Sequence, residues 1–219
     1  MKFKITLIIL LVFIKLIGFA QKDSVICDLN CKITEGIYLN YEDFRKNNPV
    51  TREQLQSAVN KDLLDFFGKT LESEKFTFVR NEEKATLNSK NVWGFYQNNI
   101  LHINYKGRFY RVPVFGSISY LMATVEVISS NYYYPGYGMM GGMGGSMGTT
   151  MKTQEVRDFL INFYDGIIIP FSIDQAELLL KRDPAVYAEF KALKRKQQKL
   201  QITRYIRKYN ELHPVYFLN

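Results

Sequence analysis

Histidine and cysteine are scarce in this 219-residue chain, with two of each, and tryptophan occurs once. A zinc site on Cys27 and Cys31 would need two further ligands, and the only histidines are His102 and His213. Covalent haem attachment is excluded as well, because the cysteine spacing is wrong and Lys32 follows Cys31. Beyond residue 20 no apolar run is long enough to cross a bilayer. No closely spaced acidic pair with apolar flanks marks a tuned acid/base couple.

What the chain does have begins at its N-terminus. Lys2 and Lys4 precede an apolar run from Ile5 to Ile14 broken only by Thr6, and Gly18 and Ala20 stand before Gln21. This layout predicts a secretory signal peptide over residues 1–20, cut ahead of Gln21. An uncleaved anchor fits less well. Ile5 to Ala20 is sixteen residues with Lys15 inside it, against about 20 apolar residues for a spanning helix. Residues 21–219 are then expected to form a single exported domain in the periplasm, at the outer membrane or outside the cell. In such an oxidising compartment Cys27 and Cys31 are expected to pair as a local disulfide, with free thiols as the alternative.

The net charge of +8 falls to +5 when Lys2, Lys4 and Lys15 leave with the signal. The remaining excess is local: Lys181–Glu211 carries ten Lys/Arg against three acids, so residues 21–180 are slightly acidic. The basic segment reads as a solvated helix face, with an anionic surface or an envelope protein as its partner; export argues against nucleic acid.

Periodicity divides the chain. Thr51 and Gln54 form a capping box that predicts a helix with Leu55, Val59, Leu63 and Phe66 on one face, ended by Gly68. From Phe76 the period becomes two, with runs 76–80, 85–88, 92–97, 100–105, 108–115 and 118–129. Asn98-Asn99 and Lys106-Gly107 suit tight hairpins, so neighbouring strands are antiparallel. The pattern resumes at Val156–Tyr164, turns at Asp165-Gly166 and returns through Ile167–Phe171. Ser172 with Gln175 opens one helix; Asp183-Pro184 opens another predicted to run to Leu212. In that last helix the apolar stripe moves between Leu200 and Ile202, which predicts a change of packing partner midway. The expected fold is α+β: an antiparallel β-meander of about eight strands, as a curled sheet or partial barrel, with an N-terminal helix and a long C-terminal helix.

Residues 132–151 differ in kind. They hold seven of the fourteen glycines and, in Met139, Met140, Met143, Met147 and Met151, five of the seven methionines. The composition predicts an exposed flexible insertion joining two strands. Soft thioethers at this spacing are candidate copper(I) ligands; an adaptable sticky loop is the plainer reading. Gly144-Gly-Ser146-Met-Gly148 matches G-x-S-x-G, with Asp165 or Asp174 and then His213 in hydrolase order. The serine lacks the strand and helix that such chemistry requires, so no catalytic residue is assigned. His102 reads as a packed or rim histidine, His213 as a helix-end cation, and Trp93 as core.

Gly36-Ile-Tyr-Leu-Asn-Tyr-Glu-Asp-Phe44, Val92-Trp-Gly-Phe95, the Gly116-Ser-Ile-Ser-Tyr120 stretch and Tyr209-Asn-Glu-Leu-His-Pro-Val-Tyr-Phe217 resemble motifs of a set of exported, functionally uncharacterised proteins of Bacteroidota. The resemblance implies export and brings no activity, cofactor or catalytic residue with it. The expected function is non-catalytic interaction or binding in the envelope or outside the cell. The alternatives are soft-metal binding by the methionine tract, and an enzyme whose site is assembled from distant residues.

Overall fold

The computed structural model describes residues 24–27, 33–130 and 150–218. The first half runs β1 (Ser24–Cys27), β2 (Gly36–Tyr38), α1 (Tyr41–Arg45), β3 (Leu55–Gln56), α2 (Phe66–Glu72), β4 (Lys75–Arg80), β5 (Glu83–Asn88), β6 (Gly94–Gln97), β7 (Ile100–Tyr105) and β8 (Arg108–Arg111). The second runs β9 (Ile118–Ser130), β10 (Thr150–Asn162), β11 (Ile167–Pro170), α3 (Ile173–Leu180), α4 (Pro184–Ala192), α5 (Arg195–Leu212) and β12 (Val215–Leu218).

The fold is α+β with antiparallel strand pairing throughout the described residues and no closed barrel. Tight turns set the registers. Asn98 and Asn99 take φ of 51° and 60°, and Lys106 and Gly107 take 54° and 81°, so Gln97 faces Ile100 and Tyr105 faces Arg108. Asn81-Glu82 makes the same kind of turn between β4 and β5.

The strands are divided among separate sheets, ordered β3-β4-β5, β2-β6-β7-β8, β11-β10-β9 and β1-β12. The expected single meander is interrupted at two corners. A 3-10 turn at Ser89–Asn91 redirects the chain between β5 and β6, and Pro113, which has no N–H to donate, follows β8. β9 and β10 pair over thirteen residues, from Ile118 opposite Asn162 to Ser130 opposite Thr150, so the segment between them joins two strands of one sheet.

The predicted helix at 51–68 does not form there. The Thr51–Gln54 bond is made, with Gln54 Oε1 accepting from Thr51 N at 2.9 Å, but it closes a turn. Leu55 and Gln56 then pair with Phe78 and Thr77. The helix starts at Phe66, where Gln97 of β6 accepts from Phe67 N at 3.2 Å and so caps its first turn from across the fold. The long C-terminal helix is two. α4 ends at Ala192, and Gln198 Nε2 donates to the Phe190 carbonyl at 3.2 Å, supplying a partner to a carbonyl in its last turn. The apolar stripe that moves between Leu200 and Ile202 does not mark this break: Val186 and Phe190 of α4 and Ile202 and Ile206 of α5 enter one core, and Leu200 stays exposed. Ser172 and Asp183 do cap α3 and α4, accepting from Gln175 N and from Ala185 and Val186 N.

Three cores result. The first lies around Tyr38, Phe44, Leu101, Ile103, Leu121 and Phe159, filled by aromatic rings that meet edge to face. The second, around Ile37, Phe66, Phe67, Phe76 and Phe95, fills the opposite face of the central sheet beneath α2. The third packs α3, α4 and α5 on Ile118 and Leu160 of the β9–β10 ribbon. No helix among the described residues is long and apolar enough to cross a membrane.

Two carboxylates tie the helical layer together. Glu177 of α3 meets Lys191 Nζ of α4 at 2.8 Å, and Asp183 meets His213 Nε2 at 2.7 Å while capping α4. The Lys191 hydrogen bond holds Glu177 below its ordinary value, and the Val186 N–H followed by His213 does the same for Asp183. Both groups thus bind protons more readily in the unfolded chain. Their contribution is complete above the ordinary values of 4.5 and 3.8, and is lost as pH falls through the lowered ones. A Glu177→Gln, Asp183→Asn variant is expected to lose less Tm than wild type between pH 5 and pH 3, as read by circular dichroism. Parallel curves for the two proteins would refute this linkage.

Candidate functional site

Strand alternation places Leu101 and Ile103 of β7 in the first core and turns His102 to the other face. There it lies opposite Phe95 of β6, ring on ring, with centroids 4.5 Å apart and planes 5° from parallel. Phe109 of β8 meets Phe95 edge to face at 5.4 Å. This aromatic wall lines a cleft of about 680 Å³ whose other side is α2 and the turn that follows it, with Gly68, Leu71 and Ser73. The size is that of a small-molecule pocket.

The cleft is lined by charges of both signs, Asp65, Glu72 and Glu74 against Lys69, Lys90 and Arg108. His102 Nδ1 is shielded from solvent and has no hydrogen-bond partner among the described residues. Burial pushes the imidazole below its ordinary value of 6.5, so it is neutral at pH 7 and can accept or donate one hydrogen bond according to tautomer. The Ile100 backbone partly offsets that shift through a hydrogen bond to the ring. At the rim, Lys69 is taken by Glu72 at 3.1 Å. Lys90 and Arg108 are exposed and form no ion pair among the described residues. Gly107, at φ 81°, shapes the turn between β7 and β8, and the Lys90 stem lies 3.5 Å from where its Cβ would stand. A second cavity, of about 760 Å³, runs along the β9–β10 ribbon past Tyr105, Val127 and Phe159. It has no comparable buried polar group among its lining residues.

The chain belongs to DUF6563, a family of unknown function. The match covers residues 36–213, which takes in every element of the cleft and leaves out β1 and β12. No curated protein and no solved structure matches the chain.

The hydrolase-like order in the sequence is not assembled around His213. Asp165 binds Asn162 Nδ2 and Ile167 N, Asp174 pairs with Arg195 at 2.6 Å, and His213 takes Asp183 instead. Ser117 Oγ donates to the His213 carbonyl at 2.6 Å, which is an anchoring bond and not a nucleophile–base contact. Ser146, Met139, Met140, Met143 and Met147 lie outside the described residues; of Met151 only the backbone, opposite Ser129 in β10, is described. Cys31 is likewise outside, and Cys27 is described only as the β1 residue opposite Val215. Trp93 packs against the first core, stacked on Phe44 at 4.5 Å. Among the described residues no group of three His, Cys, Asp or Glu could hold a metal.

Sequence reasoning missed the cleft. The alternation of β7 put His102 on the right face, but the opposite wall comes from α2, whose start depends on Gln97.

Proposed function

We propose that this DUF6563 member is an exported, non-catalytic binding protein of the cell envelope, and that the cleft beside His102 holds its ligand. One observation carries the reading: an aromatic wall of Phe95, His102 and Phe109 that lines a cleft of about 680 Å³. The arrangement suits a ligand with a flat apolar body, which packs along Phe109 and His102. Export is supported by the pattern of residues 1–20. Copper binding by Met139–Met151 rests on sequence alone.

The test is an NMR titration of the exported, processed protein with benzoate, benzamide and indole. Amide shifts concentrated at Gly68, Phe95, His102 and Phe109 are expected for at least one probe, and Phe109→Ala should weaken its affinity tenfold or more. Shifts scattered over the surface, or an unchanged affinity in the variant, reject the cleft as a ligand site. Mass spectrometry of the same preparation should place the N-terminus at Gln21; an intact Met1 rejects export by cleavage.

A further inference from the structure

Helix α5 buries the stripe Gln198, Ile202, Ile206 and Tyr209 against the third core. The opposite arc faces solvent. With 3.6 residues per turn, Lys196, Leu200, Arg204 and Arg207 fall within about 80° of one another, and Lys199 lies about 60° to one side. These four cations and Leu200 are exposed, Leu200 to 76%, and the single acid of α5, Glu211, stands on the same arc in its last turn.

Neighbouring cations are used inside the fold: Arg195 by Asp174, Lys191 by Glu177, and Lys208 by Glu189 at 2.5 Å. Lys196, Lys199, Arg204 and Arg207 are in no ion pair among the described residues. Like charges three and four residues apart oppose helix formation, so helix stability does not account for the pattern. Nor does packing account for Leu200, which stands among the cations with most of its surface in water.

We propose that this face of α5 docks the protein on an anionic phospholipid surface. The four cations meet headgroup phosphates, and Leu200 enters the interface beneath them, where Lys and Arg stems also lie against apolar material. At 1.5 Å per residue the eighteen-residue helix is about 27 Å long, so all five side chains reach one plane together. The exposed arc from Lys196 to Arg207 has no aromatic residue on which a base would stack, and a leucine gains nothing in a phosphate groove. The surface is separate from the cleft, which is built from other elements.

The experiment is co-sedimentation of the exported, processed protein with phosphatidylcholine vesicles, with and without phosphatidylglycerol. Binding is expected only when phosphatidylglycerol is present, and it should weaken as salt shortens the screening length to about 3 Å at 1 M. Each interfacial cation contributes about fivefold to partition. Lys196→Glu with Arg207→Glu should therefore lower it at least 25-fold, and Leu200→Ala should lower it several-fold. A charge-matched control on β4 and β5, Lys75→Glu with Lys84→Glu, should bind like wild type. Exposed substitutions of this sort leave folding stability within about 0.5 kcal/mol, which thermal melts verify. Equal binding by wild type and the Lys196/Arg207 variant, or equal loss in the control, overturns the proposal. So does binding to duplex DNA or polyglutamate that depends on the same cations but ignores Leu200, with no response to phosphatidylglycerol.

Discussion

Replacing Phe44 by alanine is expected to destabilise the protein by about 4 kcal/mol, within the range for burying an aromatic ring and then removing it. The ring is 1% exposed and sits where four elements meet. It stacks on Trp93 at 4.5 Å and meets Tyr38, Phe217, Phe115 and Phe163 edge to face at 5.0 to 6.0 Å. These neighbours belong to the central sheet, the β9–β10 region and β12, and they are held in place elsewhere, so the site cannot collapse to refill the void. Urea unfolding of wild type and Phe44→Ala measures the difference. A loss below about 1.5 kcal/mol would mean that the cluster relaxes, contrary to its packing. Phe44→Leu should recover roughly half of the loss, because it restores volume without the edge-to-face contacts.

The second large effect is expected at Asn210. In the β9–β10 ladder the pair Ser117–Phe163 carries the hydrogen bond, so Ile118 turns its own N–H and C=O away from β10. Asn210 of α5 receives them both: Oδ1 accepts from Ile118 N and Nδ2 donates to Ile118 O, each at 2.8 Å. One carboxamide thus stands in for a neighbouring strand. Asn210→Ala leaves two backbone groups unpaired on a residue only 1% exposed, at about 1–3 kcal/mol each, so a loss of about 3 kcal/mol is expected. Gly116 belongs to the same device. A Cβ there would lie 2.4 Å from Asn210 Cγ, and that side chain cannot swing aside without releasing Ile118. Gly116→Ala should accordingly be costly in wild type and nearly neutral when Asn210 is already alanine. Additive losses in that double-mutant cycle would show that the two residues act separately.

This contact explains what two of the sequence motifs are for. Gly116-Ser-Ile-Ser119 and Tyr209–His213 meet through Asn210 and through Ser117 Oγ on the His213 carbonyl, while Asp183 holds the His213 ring. Their residue types are accounted for by anchoring α5 to the ribbon.

The α+β class, the strands from Phe76 onward and their turns were legible, because alternation and positive-φ pairs are local signals. The caps at Ser172 and Asp183 were legible for the same reason. The segment after Thr51 was not. Its local bond forms as the capping box implies, yet the decision between strand and helix falls to β4, which offers Leu55 a ladder partner. The break at Leu193 was not legible: no glycine or proline marks it, and the displaced stripe, between Leu200 and Ile202, predicted a change of packing partner within one continuous helix. The break's physical marker is Gln198, a residue whose capping partner lies eight positions earlier, and no local rule anticipates it. The cleft was illegible for a related reason, since the groups facing His102 come from a helix whose first turn is completed by Gln97, thirty residues away in sequence.

The pairing of β1 with β12, Ser24 opposite Leu218 and Cys27 opposite Val215, joins the two described strands that lie farthest apart in sequence. β1 has no ladder partner until β12, which follows every other described element, is in place. Everything from β2 to α5 is therefore free to form while β1 waits, and the sheet that joins the two ends is the final closure.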